Sequence, residues 1–231
     1  MAPIIHYAVF PTSHVSVDQF PSLKKAYGQL NKAEGHIKSF YGLQVTEEGS
    51  KQMYFISSTC ARWNSSMINA DLGAMMYEVW ESSLYHRKFK EISMINRETD
   101  IAKEFNPLNE AVAAAGEHFF HHEFKVLEGT NVSGLESENT EFVLVTPKPG
   151  APVDKVREVG LKVRELWDNK GHPATFSESV QGNGSFLMVV GWSSTTHHLD
   201  TVKDEPYASL VTQFSEVGVF NMSHANLEGN E

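Results

Sequence analysis

The sequence predicts an α+β protein built as two successive halves, each running strand, helix, strand, strand, helix, strand. Three observations predict it. The first is a motif that occurs twice, Trp-x-Ser-x-x-x-His after an apolar run, at Trp80, Ser82 and His86 and again at Trp192, Ser194 and His198. The second is a constant offset: Val17-Asp18 matches Val153-Asp154, Gly35-His36 matches Gly171-His172, and Phe40 matches Phe176. The third is the alternation of short apolar runs with segments of helical period. In each motif the apolar run suits a buried strand ending at the Trp, and the Ser suits a helix N-cap.

Within the first half, residues 4–10 are apolar on both alternating faces, which suits a strand covered on both sides. Pro11 ends it. Phe20, Leu23, Tyr27 and Leu30 form a helical stripe that stops at Gly35-His36. Strands follow at 40–45 and, after a mixed segment with a strand-like piece at 53–56, in the run that ends at Trp80. A helical region over 84–116 is split by Pro107 into two helices, and 119–127 reads as the last strand.

The second half gives strand 142–146, helix 153–169, strands 174–181 and 185–192, a helix over about 196–216, and strand 219–226. Gly182-Asn183-Gly184 is a hairpin turn. The two Trp residues lie closer together than the constant offset requires, so the first half holds an insert, placed at 46–72. Its Tyr54, Trp63 and Met67 are too apolar for a purely solvated loop, and it is expected to cover a pocket mouth. The boundaries are therefore 1–130 for the first half, 131–139 for a polar, glycine-bearing and exposed linker, and 140–231 for the second half.

A chain of 231 residues, 41% hydrophobic and 11% aromatic, buries a sizeable core, so disorder is not the default. A net charge of -10 with no basic cluster argues against nucleic acid as a partner. The single Cys60 forms no internal disulfide and fits a reducing compartment, and no local His or Asp pattern supports it as a nucleophile. No apolar run has the length of a membrane span, so the reading is a soluble, cytoplasmic protein without a membrane partner. Dinucleotide, P-loop and serine-hydrolase motifs are all missing.

The element order, together with Gly191-Trp192-Ser193-Ser194 through His198 followed by Pro206-Tyr207, resembles the antibiotic biosynthesis monooxygenase-like families of dimeric α+β barrels. The resemblance covers nearly the whole chain, twice; Val79-Trp80-Glu81-Ser82 through His86 lacks the glycine. It implies two tandem ferredoxin-like halves, each a four-stranded antiparallel sheet of order 4-1-3-2. The two sheets would pack face to face as an intramolecular α+β barrel, with a monomer or weak homodimer in solution. Such families include cofactor-free monooxygenases acting on polyketide anthrones, haem-degrading enzymes, polyketide cyclases and stress proteins, so fold implies no single activity. The haem ligand of the haem-degrading relatives falls on Lys90 and Val202 here, which speaks against that chemistry.

The expected activity is a cofactor-independent monooxygenase or cyclase that removes a proton from a small hydrophobic or aromatic ligand. The alternative is a non-catalytic stress-response or hydrophobic-ligand-binding protein. Polar residues on core strands separate the two, because burying them costs stability without a partner; the first half has them and the second mostly does not. Glu78 shares one strand face with Met76 and Trp80, while its counterpart in the second half is Val190. Glu78, His6, His86 and His122 are thus the candidate catalytic residues. Trp80, Tyr7, Tyr54, Tyr85, Trp192 and His198 are the candidate substrate-binding residues. His86 and His198 fall in first helical turns, where the positive end of the dipole favours neutral imidazole. No metal is expected, because adjacent residues such as His121 and His122 point to opposite faces of a strand.

Overall fold

A computed structural model describes residues 3–11, 25, 30, 33–45, 73–80, 103, 110, 120–128 and 132–229. Among these, eight strands and three helices follow one another: β1 Ile4–Pro11, β2 His36–Gln44, β3 Gly73–Trp80, β4 Phe120–Glu128, β5 Asn139–Pro147, α1 Val153–Asn169, β6 Ala174–Ser179, β7 Phe186–Trp192, α2 Thr195–Thr201, α3 Tyr207–Val217 and β8 Gly218–Gly229. The insert at 46–72, the strand-like piece 53–56 and the helices over 84–116 lie outside the described residues. Of the first helical stripe only Lys25 and Leu30 are described, and Leu30 is fully buried.

The chain forms two compact units. One gathers β1, β2 as far as Leu43, β3, β4 as far as Lys125, and the chain from Glu228; the other gathers Gln44, Val45 and Val126–Leu227. In the first unit β1 pairs with β3 and β4, and β2 pairs with β3, all antiparallel. The order is β4-β1-β3-β2. Residues 4–8 of β1 are buried without a break, as expected of a strand covered on both faces. β2 begins at His36, earlier than the sequence suggests, because Gly35 takes a φ of 76 degrees and turns the chain straight into the strand.

The second unit pairs β5 with β7 and β8, and β6 with β7, giving the order β8-β5-β7-β6, again antiparallel. β3 and β7 end at Trp80 and Trp192, where the repeated motif places them. α1 buries Val156, Val159, Gly160, Val163 and Trp167, an i, i+3, i+4, i+7, i+11 stripe, against Phe176, Phe186, Met188 and Val190 of the sheet. Trp192 belongs to this core and links it to the site.

Two sequence expectations change here. The single helix over 196–216 is two helices, α2 and α3, because Pro206 cannot continue a helix that would need its amide hydrogen. The linker is not simply exposed: Val132–Glu136 winds into a 3-10 helix, Leu135 is only 2% exposed, and Thr140 Oγ1 donates to the Gly134 carbonyl at 3.0 Å. Two glycines permit that approach. A Cβ on Gly134 would stand 2.8 Å from the Pro173 carbonyl oxygen, and one on Gly191 would stand 2.1 Å from Ser137 Oγ.

Gly160 is where α1 comes closest to the sheet. A Cβ there would meet the Phe176 ring at 2.2 Å, and that ring has nowhere to go, stacked on Phe186 at 5.1 Å with Phe214 at 6.3 Å. Gly160→Ala is therefore expected to lose about 1–3 kcal/mol to overpacking, even though alanine is the better helix former by about 1 kcal/mol. Urea unfolding checks this; a stabilised variant would mean that α1 is free to shift outward.

Candidate functional site

The second half holds a buried cluster of ionisable groups that spans strands β5 and β8 and helix α2. On β5, Glu141, Val143 and Val145 alternate, and Val143 and Val145 lie in the core cluster under α1. The register sets Glu141 opposite Val190 of β7 and opposite His224 of β8. Directly opposed side chains share a face, so the carboxylate and the imidazole are neighbours by construction. His198 arrives from above, on α2. Ser194 caps that helix, its hydroxyl accepting the His197 amide hydrogen at 3.0 Å, and the cap places His198 in the first turns over the sheet.

Glu141, His198 and His224 are 4%, 4% and 7% exposed. Trp192 Nε1 donates to Glu141 Oε2 at 2.8 Å, and Glu141 Oε1 lies 3.5 Å from His198 Nε2. His198 Nδ1 and His224 Nε2 are 3.0 Å apart, one imidazole N–H donating to the other ring. The result is a chain of three groups: carboxylate, imidazole, imidazole. The Trp192 ring lies 4.7 Å from His198 and 4.2 Å from His172, with Trp167 at 5.2 Å; Tyr207 in turn stacks on Trp167 at 4.5 Å. An aromatic wall thus stands beside the polar chain.

Burial governs the charge of each group. It raises the Glu141 carboxyl above its ordinary range, while the positive charge of His224 and the Trp192 hydrogen bond pull the other way. It drives His198 down to about 4, with help from the charge of His197. His224 is lowered by burial, with Glu141 opposing and His198 assisting. Burial is thus the main cause that favours neutral imidazole at His198. One atom from each of Glu141, His198 and His224 lies within 4.8 Å of the others, which makes them a set able to ligate a metal ion. These donors meet across the sheet and from α2, unlike the adjacent His121 and His122 of one strand.

Trp192 joins the core to the polar cluster: it is 2% exposed, packs in the hydrophobic cluster, and donates a hydrogen bond to the Glu141 carboxylate. The expectation that the second half carries few polar residues on its core strands is wrong. Thr140, Glu141, Thr175, Ser177, Ser179 and His224 are all buried there. Glu141 and His224 escaped notice because each is a lone polar residue in a strand, and only the register brings them together.

In the first half the register sets His6 opposite Glu78 on β3 and opposite Glu123 on β4, while Tyr7 stands opposite His122. His6 and Tyr7 are buried, and burial lowers His122. His6 and His121 meet edge to face at 5.8 Å. With Trp80 and Trp192 taken as equivalent, His6 occupies the place of Glu141, Glu123 that of His224, and Glu78 that of Val190. Acid and base have exchanged strands between the halves. Trp80 is placed by register opposite Ile4. His86, Tyr54 and Tyr85 lie outside the described residues.

No protein-family model matches this chain, and no curated protein matches it by sequence. Solved structures do match. A candidate monooxygenase from Fusobacterium nucleatum subsp. nucleatum is similar over 100% of this chain and 93% of its own, at 12% identity and a TM-score of 0.60. A candidate monooxygenase from Lactobacillus acidophilus is similar over 98% and 94%, at 8% identity and a TM-score of 0.58. An anthrone oxidase-like protein is similar over 100% and 94%, at 11% identity and a TM-score of 0.59. The chain thus has the fold of the antibiotic biosynthesis monooxygenase-like α+β proteins. Among the described residues no helix is long and apolar enough to cross a membrane.

Proposed function

We propose that this protein is an oxygenase-type enzyme of small hydrophobic or aromatic molecules, working by proton abstraction without a cofactor. The observation that carries the reading is the buried chain Glu141–His198–His224 beside the Trp192 ring. A carboxylate kept from water is a stronger base than one in solution, and two neutral imidazoles offer the proton a path away from the reacting centre. An anthrone illustrates the chemistry. Loss of a methylene proton leaves an anion spread over the ring and the carbonyl oxygen, electron-rich enough to reduce dioxygen directly. One dioxygen is consumed, one water leaves, and the methylene becomes the second carbonyl of a quinone. Proton removal of the same kind starts the ring closure of a polyketide cyclase.

The same reading extends to the first half, where His6 with Glu78 or Glu123 supplies the pair in reversed order, His86 and His122 stand by as further bases, and Tyr7, Tyr54, Trp80 and Tyr85 are the ligand contacts. On sequence grounds it also includes the tandem ferredoxin-like arrangement and a single chain as the working unit in the cytoplasm. Oxygen uptake by chelator-treated protein given anthrone tests the activity. Uptake above the buffer rate, with one quinone formed per dioxygen, is expected. Tight anthrone binding without uptake would overturn the enzyme reading in favour of a hydrophobic-ligand-binding protein.

A further inference from the structure

We propose that Glu141, His198 and His224 form a binding site for one divalent ion of the late first-row transition metals, of which zinc is the reference case. Three separate elements, β5, α2 and β8, each deliver one donor, and one atom from each lies within 4.8 Å of the others. The spacing suits a shared ion. Nitrogens at about 2.0–2.1 Å from one metal stand about 2.9 Å apart at a right angle and about 3.3 Å apart at a tetrahedral angle. His198 Nδ1 and His224 Nε2 are 3.0 Å apart. Glu141 Oε1 stands 3.5 Å from Nε2, the far nitrogen of the same His198 ring, so seating one ion asks the carboxylate or the ring to turn toward the contact between His198 and His224.

The donors also select the ion. Two imidazoles and one carboxylate suit zinc, cobalt or nickel, whereas calcium and magnesium call for a shell of oxygens. Three protein ligands leave a coordination position open. The carboxylate is already oriented, since Trp192 Nε1 holds Oε2 at 2.8 Å and leaves Oε1 on the His198 side; such an outer partner is what a metal ligand ordinarily carries. Burial keeps the imidazoles neutral, the form that binds a metal, and a cation would favour the charged form of the Glu141 carboxylate. The nearby His172 and His197 rings, 5.4 Å apart, offer only two donors, and His197 is exposed.

The binding claim rests on this geometry and not on the proposed reaction, but the two meet at the same lone pairs. An ion seated on Glu141, His198 and His224 takes the electron pairs that the proton path needs, so metal-loaded protein is expected to be inactive through that path.

Calorimetric titration of the chelator-treated full chain with zinc chloride, and visible spectroscopy with cobalt chloride, test the site. One ion per chain is expected, with cobalt bands that report nitrogen and oxygen ligation. Trp192→Phe should weaken zinc about 10- to 100-fold, and Glu141→Gln and His224→Gln should weaken it more, while His197→Ala leaves it unchanged. Glu141→Gln keeps the shape of the side chain, and circular dichroism of each metal-free variant checks that it folds. Absence of saturable zinc binding overturns the proposal, as does binding that survives Glu141→Gln and His224→Gln but is lost with His197→Ala. Zinc binding together with no anthrone turnover by the chelator-treated, metal-free protein would sink the oxygenase reading alone. Turnover without zinc binding would sink the metal site alone.

Discussion

Glu141→Gln is expected to lower anthrone turnover about 100- to 10,000-fold, the range that a positioned general base contributes, with thermal stability preserved. Glutamine keeps the volume, and its carbonyl still accepts the Trp192 Nε1 hydrogen, so the aromatic wall stays in place. What it removes is basicity. The loss should therefore fall on kcat, with KM little changed, because no ligand contact is deleted. Burial makes the removal tolerable to the fold: an ionised carboxylate with a raised pKa strains the native state, and a neutral amide does not. Glu78→Gln in the same assay decides between the halves. Loss of turnover in Glu78→Gln but not in Glu141→Gln would place the working base in the first half and overturn the second-half site.

Acidification is expected to destabilise the protein by about 3 kcal/mol through His198 alone. The native pKa is about 4 against an ordinary value of 6.5, so between those values the unfolded chain binds the proton and the folded one does not. Stability from this residue is complete above pH 6.5 and is lost as pH falls toward 4. His172 and His224 are lowered as well and act in the same direction. Glu141 opposes them: its raised pKa means that the folded state holds a proton more tightly, so its contribution is present below its ordinary value of 4.5 and is lost as pH rises through its raised value. The groups facing His198 are Glu141, His224 and His197, and the lowered imidazoles of His172, His198 and His224 stand against the one raised carboxyl of Glu141. Urea unfolding of chelator-treated protein across pH 7 to 4 should show the fall, and His198→Gln should flatten it. A level profile in the parent protein would show that His198 is not held neutral by the fold.

Much of this architecture is legible in the sequence, and the reason is periodicity. α1 spans the residues that its apolar stripe predicts, because Val153-Asp154 begins it and Gly171, with a φ of 87 degrees, closes the turn after it. The strand ends at Trp80 and Trp192, the cap at Ser194 and the turn at Gly182-Asn183-Gly184 follow from local chemistry in the same way. The site is less legible because it is assembled across strands. Glu141 sits one residue before the apolar run 142–145 and reads as the polar start of a strand. His224 sits in Asn-Met-Ser-His-Ala-Asn, a mostly polar stretch of the predicted strand 219–226, with no motif around it. Strand order with register would have found both, since Val190 was already recognised as the counterpart of Glu78 and Glu141 stands opposite Val190. Pro206, by contrast, was visible throughout, and the break between α2 and α3 should have been drawn from it.

The short helix α2 is pinned by a single buried side chain, that of His198, while Ser193, Ser194, Thr196 and His197 at its start face solvent. Glu141 and His224 belong to paired strands that cannot leave without breaking the sheet. Two members of the cluster thus sit on paired strands and the third on a short helix. Any displacement of α2 from the sheet would part His198 from both Glu141 and His224, so the carboxylate would be uncovered and the contact between the two imidazoles broken together.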